Sequence, residues 1–326
     1  MFYSEVQQRP HTSRKYLAGR LLYPGGMDEL QVRELRYFTA VAEELNFTHA
    51  AELLGIAQPP LSRAIATLEQ KLGVSLLIRS TRQVELTPAG EVLLERARIA
   101  LDAIAAAARL TVRAGQSEPR LNVAVMPGTF AGLLTPIIKR YESDGRWPPV
   151  EVLISEWGEQ EAMLRDGRAD IALVRELVDD SGLDCELLFT EPRRAVMPLT
   201  HRLAGRDRLL RSELDGETIV GWRGTNAARA AHFAAVDRLP ASHPAPHAGP
   251  EVSDVTQLLE VVALGQGIAF IPASIVELLP RDDVVLIPVE DLSESRLVVA
   301  WLGSSRSQAV AGFVRAATEV AEASRR

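Results

Sequence analysis

The sequence predicts an α/β protein overall: a mainly helical N-terminal domain, one long helix, then a larger part in which strands and helices alternate. Three observations predict it. Between Thr48 and Leu72 two short apolar patterns at helical spacing flank a glycine. From Thr87 an apolar repeat of alternating three and four runs for about seven helical turns. Beyond the linker-like run Ala114-Gly-Gln-Ser-Glu-Pro119, short apolar runs alternate with helical patterns to the C-terminus.

The first helix carries Ala50, Ala51, Leu53 and Leu54 behind Thr48, whose hydroxyl suits an N-cap. Gly55 can take a positive φ and end it. Pro59 and Pro60 suit the first turn of the next helix, where their missing N–H groups cost nothing. Leu61, Ile65, Leu68 and Leu72 then form a stripe that leaves Gln58, Ser62, Arg63, Ala66 and Thr67 on another face. Two readings fit: an ordinary helical hairpin with a solvated face, or a helix-turn-helix. In a helix-turn-helix the start of the second helix enters the major groove. Gln58 could then pair with an adenine edge, Arg63 with guanine or a phosphate, and Ser62 with either kind of group. Thr48, Pro59 and Thr67 complete that candidate DNA-contacting set on the two helices.

Leu76–Arg79 and Val84–Leu86 read as short strands around Ser80-Thr81-Arg82-Gln83, a small β-wing with Arg79 and Arg82 at its tip. From Gln58 to Gly90 the basic residues are Arg63, Lys71, Arg79 and Arg82, against Glu69 and Glu85. The whole chain has a formal net charge of −7, so this excess is local. Phosphate attraction needs only such a local field. Thr87-Pro88-Ala-Gly90 opens the long helix, in which Leu94, Ala97, Leu101, Ile104 and Ala108 make a heptad-like seam. The seam suits a dimerising helix; the alternative is a helix packed on its own domain.

Leu35-Arg-Tyr-Phe38, Ala42-Glu-Glu-Leu-Asn-Phe-Thr-His-Ala-Ala51, Gln58-Pro-Pro-Leu-Ser-Arg63, Leu68-Glu-Gln-Lys-Leu-Gly73 and Leu86-Thr-Pro-Ala-Gly90 match one pattern in type and spacing. Together they resemble the N-terminal domain of LysR-type transcriptional regulators. The resemblance implies a winged helix-turn-helix over 27–87, a dimerising linker helix and hinge over 88–119, and an effector-binding domain over 120–326. That domain would have the type 2 periplasmic-binding-protein architecture, with one subdomain at 120–192 and 295–326 and the other at 193–294. Implied partners are promoter or operator DNA with an interrupted palindrome, a small-molecule effector, a second copy and a dimer of dimers. RNA polymerase is a further contact open to a promoter-bound regulator. No cofactor is implied.

With 326 residues, 47% hydrophobic and 24% charged, the chain has the composition of a globular protein of about two domains. Its one cysteine, Cys185, excludes a disulfide framework or cysteine-rich metal site and reads as a small buried residue. No segment is apolar for long enough to span a membrane, and Met1–Gly26 lacks a signal-type apolar run. The expectation is a disordered extension at 1–26, a cytoplasmic location and no membrane partner.

In the C-terminal part, Leu121–Met126, Val150–Ile154 and Ile171–Val174 read as strands, with helices through Leu133, Ile137 and Tyr141 and over Glu159–Asp166. A second unit follows, with strands at Ala195–Pro198, Thr218–Gly221 and Ile268–Ile271 and helices at Ala227–Val236 and Val255–Leu264. Leu297–Trp301 and a helix from Ser307 return to the first unit, with crossings expected near Glu191–Arg193 and Ser293–Arg296. Ligands in open α/β sheets sit outside the carboxyl ends of strands. Here those ends offer Gly128 and Thr129, Trp157, Arg175, Trp222, Arg223, Thr225, Asn226 and Ser253. Arg175 could hold a carboxylate or make a structural ion pair, and the tryptophans could wall a planar ligand. A small organic acid, aromatic or not, is the effector class this suggests.

Two other classes compete. An enzyme would need a motif that the chain lacks: a phosphate loop, a Gly-x-Ser-x-Gly elbow or a His-Glu-x-x-His helix. The run Ser242-His-Pro-Ala-Pro-His247 reads as a flexible connector, not a metal site. A solute-binding protein would fit the α/β part but not the helix-turn-helix ahead of it.

Overall fold

The structure, a computed structural model, describes residues 30–79, 84–128, 130, 132–177, 179–240, 242–278 and 280–324. Arg82, Thr129 and the extension Met1–Gly26 lie outside the described residues. The chain forms two compact units that divide between Leu101 and Asp102. Among the described residues no helix is long and apolar enough to cross a membrane.

The first unit holds α1 (Val32–Glu44), α2 (Phe47–Leu53), α3 (Gln58–Leu72), β1 (Leu77–Arg79), β2 (Val84–Leu86) and the start of α4 (Pro88–Ala114). Asn46, not Thr48, caps α2: its side chain accepts from the Thr48 and His49 amides at 2.9 and 3.2 Å. The correction has a simple cause, because Asn46 is the last extended residue before the helix and only such a residue can cap. Gly55, at φ +65°, then turns the chain, and the Ile56 amide donates to Ala51 O at 3.0 Å. Leu61, Ile65 and Leu68 of α3 are fully buried against Phe38, Val41 and Ala50. The small Ala50 and Ala51, themselves buried, belong to the same core.

The antiparallel β1–β2 ribbon is tied to α4 at its base. The Thr87 amide donates to Leu76 O, and the Thr87 hydroxyl accepts from the Gly90 amide at 3.0 Å. Gly90 is needed there: a Cβ would lie 2.1 Å from the Leu76 carbonyl oxygen. Gly90→Ala should therefore lower the stability of this unit by roughly 1–3 kcal/mol, the usual cost of overpacking. Urea unfolding followed by circular dichroism checks it; an unchanged midpoint would show that the ribbon gives way freely.

The second unit contains two similar halves. In the first, β3 (Leu121–Val125), α5 (Leu134–Glu142), β4 (Val150–Ile154), α6 (Gln160–Arg165) and β5 (Ile171–Arg175) build a parallel core. The chain then runs through β6 (Leu183–Glu191), passes Pro192 and enters the second half as β7 (Arg193–Pro198). There follow β8 (Thr218–Trp222), α7 (Ala227–Phe233), β9 (His247–Val252), α8 (Val255–Ala263), β10 (Ala269–Pro272), α9 (Ala273–Leu278) and β11 (Val284–Pro288). Finally β12 (Ser295–Leu302) rejoins the first sheet and α10 (Gln308–Ser324) covers it. The first sheet has the order β4-β3-β5-β12-β6. The second half pairs β10-β7-β11 antiparallel and β8-β9 parallel, with a parallel bridge Ile219–Ile268 joining β8 to the approach of β10. In each half one strand, β12 or β7, thus runs against four that share a direction, and the chain crosses between the halves twice.

Two expectations need correction here. His247 opens β9 and does not end a connector, while His243 lies 3.1 Å from Asp215. Cys185 is exposed, because β6 is an edge strand whose middle residues face solvent.

Candidate DNA-reading face and effector cleft

On α3 the side chains of Gln58, Pro59, Arg63 and Thr67 are exposed and Ser62 is half-buried; Thr48 is exposed on α2. Thr67 turns its hydroxyl back to Arg63 O at 2.9 Å, a bond within the helix. Arg63 has no ion-pair partner among the described residues, so its guanidinium is available to a ligand. Arg79 is held differently. It pairs with Glu69 at 3.0 Å, approaches Ser62 Oγ at 3.4 Å and lies 4.9 Å from the centre of the Phe47 ring. Glu69 also accepts from the Leu76 and Leu77 amides at 2.8 and 3.2 Å. Sequence reasoning missed Glu69, which fastens the ribbon to α3 and orients Arg79.

The expected seam on α4 is divided. Ala97 is fully buried, Leu94 is half-buried against the core of the first unit, and Ile104 is exposed. The exposed apolar side chains instead include Val92, Ile99 and Leu110, with exposed Ala103 between them. At 3.6 residues per turn these share one side of α4, roughly opposite Ala97. The repeat of three and four was real, but its N-terminal part serves the chain's own core.

In the second unit, the loop after β4 meets the loop after β8. Trp157 stacks on Trp222 with centroids 4.3 Å apart and an interplanar angle of 20°, and Phe233 packs edge-on to Trp157 at 5.0 Å. Trp222 is buried, so the pair is a wall between the halves and not two free faces. Gly158, at φ +79°, lets this contact close: a Cβ there would stand 3.3 Å from Arg229 Nη1 and 3.4 Å from Gly224 O. Beside it, the Ser155 hydroxyl and the Trp157 indole N–H are buried without a hydrogen-bond partner among the described residues. Buried polar groups are almost always paired, so both mark a place where a ligand or water belongs.

Several candidates from the sequence are already engaged. Arg175 is buried and pairs with Glu191 at 2.7 Å, with the Ser295 and Ser274 hydroxyls at 3.2 and 3.1 Å. Glu191 in turn accepts from the Ser274 amide and hydroxyl at 2.7 and 2.6 Å. This is the structural ion pair of the two readings, and it bridges β5, β6 and α9. Thr225 donates its hydroxyl to Trp222 O, Asn226 caps α7 through the Arg229 amide, and the Ser253 amide is bonded to Gln257. Arg223 remains exposed, and Gly128 is half-buried with φ +79°.

Two buried arginines at the junction escaped sequence reasoning. Arg229 of α7 pairs with Glu161 of α6 and donates to Glu176 O at 3.0 Å, joining the halves directly. Arg193 is fully buried at the crossing strand, where it donates to Ser293 O and Oγ at 2.7 and 2.6 Å and to His232 O, and pairs with Asp237 at 3.4 Å. Burial alone would raise the Asp237 carboxyl. Hydrogen bonds from His232 and Ser293 and the charge of Arg193 outweigh it and hold the carboxyl well below the usual range. The only local signal was Pro192 at a strand crossing; nothing in Ala-Ala-Arg-Ala-Ala marks Arg229.

Known proteins agree with this architecture. The family described as bacterial regulatory helix-turn-helix protein, lysR family, matches residues 32–91, and the LysR substrate binding domain matches residues 114–322. The HTH-type transcriptional regulator ShiR of Corynebacterium glutamicum (strain R) is 35% identical over 294 residues, covering 85% of this chain and 95% of the relative. CatR of Pseudomonas putida, also an HTH-type transcriptional regulator, is 34% identical over 250 residues, with 76% and 84% covered. The crystal structure of full-length BenM superposes with a TM-score of 0.53 at 26% identity, covering 90% of this chain and 98% of that one. The α/β unit is therefore the effector-binding part of a regulator, neither an enzyme nor a free-standing solute-binding protein. The chain belongs to the LysR family of DNA-binding transcriptional regulators, with an N-terminal helix-turn-helix domain and a C-terminal effector-binding domain.

Proposed function

We propose that a small organic acid, bound where the Ser155–Gly158 loop meets the Trp222–Asn226 loop, sets how this regulator engages its promoter in the cytoplasm. The buried Ser155 hydroxyl and Trp157 indole N–H, unpartnered among the described residues, carry the reading, because each can donate to an acceptor such as a carboxylate. The Trp157–Trp222 stack beside them favours a planar or aromatic body. Gly128, Thr129 and Arg223 complete the proposed effector contacts from the neighbouring strand ends. The effector acts by preferring one arrangement of the two halves, which shifts the population of that state. Ser155→Ala should abolish the effector response in a promoter-binding assay and leave effector-free DNA binding intact. A full response in this variant would remove Ser155 from the site.

DNA recognition in this reading falls to Gln58, Ser62 and Arg63 in the major groove, with Thr48, Pro59, Thr67, Arg79 and Arg82 near the backbone. A second copy pairs along Val92, Ile99, Ala103 and Leu110 of α4, and dimers pair again into tetramers. Ile99→Glu is expected to shift sedimentation towards a smaller species, because a charge in a dry helix seam is unpaired. An unchanged sedimentation coefficient would return the stripe to solvent.

A further inference from the structure

Several carboxylates stand at the junction of the two halves, and most have an arginine each. Glu161 has Arg229, Asp237 has Arg193 and Glu191 has Arg175. Glu176, on the turn after β5, has no arginine within ion-pair distance among the described residues. Its ion-pair partner there is His232 of α7, whose Nε2 lies 3.4 Å from Glu176 Oε1. The two residues belong to opposite halves and are 9% and 7% exposed. Glu176 is held at φ +54°, a left-handed conformation that costs a non-glycine residue roughly 1–2 kcal/mol. Its carbonyl accepts from Arg229, and its Oε1 accepts from the Arg296 amide at 2.6 Å. Backbone strain fixed by so many contacts is characteristic of switch regions.

The hydrogen bonds around His232 settle where its protons lie. The Ser293 hydroxyl accepts from Arg193 and donates its own proton to Asp237. It has none left for His232 Nδ1, which lies 3.3 Å from Ser293 Oγ and 3.5 Å from Asp237 Oδ2. Nδ1 therefore carries a proton and faces two acceptors. In a neutral ring Nε2 is then a bare acceptor, buried against a carboxylate, and no donor reaches it among the described residues. A proton on Nε2 turns that clash into a charge-assisted contact. The other charged groups close to the ring are Arg193, behind Asp237, and Arg229, which is turned to Glu161. Arg238, Glu294 and Arg296 on the flanking segments are exposed.

We propose that His232 is a proton-operated latch between the two halves: as an imidazolium it joins Glu176 of the first half to Asp237 of the second, and on losing the Nε2 proton it lets Glu176 go. The joined arrangement binds the proton more tightly than the parted one, so falling pH favours it. The latch also reaches the cleft wall. Phe233 stands edge-on to the His232 ring at 5.4 Å and packs against Trp157 and Trp222 at 5.0 and 5.9 Å. It needs no ligand in the cleft, so it stands apart from the effector reading.

The test is acrylamide quenching of tryptophan fluorescence in the full-length protein, from about pH 6 to about pH 9, around the range in which imidazole titrates. Quenching is expected to rise with pH in a single-proton transition, as the halves part and uncover Trp157 and Trp222. The transition should be absent in His232→Gln. In Glu176→Gln, which keeps the acceptor for the Arg296 amide and removes the charge, it should move to lower pH by about 1, the effect of one adjacent carboxylate. His201→Gln, which alters the contact with Glu217, should behave as the unaltered chain does. A flat profile in the unaltered chain overturns the proposal, as does the same transition in His232→Gln, or its loss in His201→Gln. An unmoved transition in Glu176→Gln overturns it as well, and decides alone if circular dichroism shows that His232→Gln does not fold.

Discussion

Arg63→Ala is expected to weaken binding to a specific site by roughly 1–3 kcal/mol, the worth of one good base contact. Arg63 is exposed on α3 and is not committed to an ion pair among the described residues, so its loss should leave the fold untouched. The pattern of loss tells which group it touches. A base contact relaxes discrimination at one position, whereas a phosphate contact lowers affinity uniformly and reduces the salt slope by about one. Binding titrations at several salt concentrations, on matched and mismatched sites, separate the two. Arg79→Ala makes the contrast, because it removes the partner of Glu69 and loosens the ribbon as well as the DNA contact. Unchanged affinity in Arg63→Ala at moderate salt would exclude Arg63 from recognition.

Arg193→Ala should cost more, about 3–5 kcal/mol of stability in the effector-binding unit, as removal of one partner from a buried pair does. The guanidinium has no solvent to fall back on, and Asp237, Ser293 and the His232 carbonyl all depend on it. Replacing both members, Arg193→Met with Asp237→Asn, should cost less than the sum of the two single changes, since no charge is then stranded. The same pair makes stability depend on pH. The Asp237 carboxyl has a lower pKa folded than unfolded, so the unfolded chain binds the proton more readily. Its stabilisation is complete above the unfolded value near 3.9 and is lost as pH falls towards the folded one. Urea midpoints measured from neutral to acid pH should fall less steeply in Asp237→Asn. A parallel decline in both proteins would mean other carboxylates dominate.

The DNA-reading domain was legible because its constraints are local. Gly55, Pro59 and the Leu61–Ile65–Leu68 stripe each act within a few residues, and each sits where the spacing puts it. Thr48 misled because Ser, Thr, Asn and Asp are all good caps, and only backbone conformation separates Asn46 from Thr48. The seam on α4 misled for a different reason. An apolar repeat shows that a face is buried, not what buries it, and Ala97 is buried by its own chain. In the effector-binding part β3, β4, β5, β7, β8, β10 and β12 were found, while β6, β9 and even the apolar run of β11 were not. β6 reads Leu-Asp-Cys-Glu-Leu-Leu-Phe-Thr-Glu and β9 His-Ala-Gly-Pro-Glu-Val, both with exposed faces and weak alternation. The cleft was the least legible part. Its wall needs Trp157 and Trp222 to meet across 65 residues, and its braces pair Arg229 with Glu161 and Arg175 with Glu191, contacts that no local pattern announces.

Footprinting the purified protein on the DNA upstream of its own gene, beside Arg63→Ala, tests most directly that α3 of a paired regulator reads DNA. The account predicts a protected interrupted palindrome whose half-sites lie one helical turn, ~34 Å, or a multiple of it apart, and its loss in the variant. The same protection with Arg63→Ala, or a single unrepeated half-site, would contradict it.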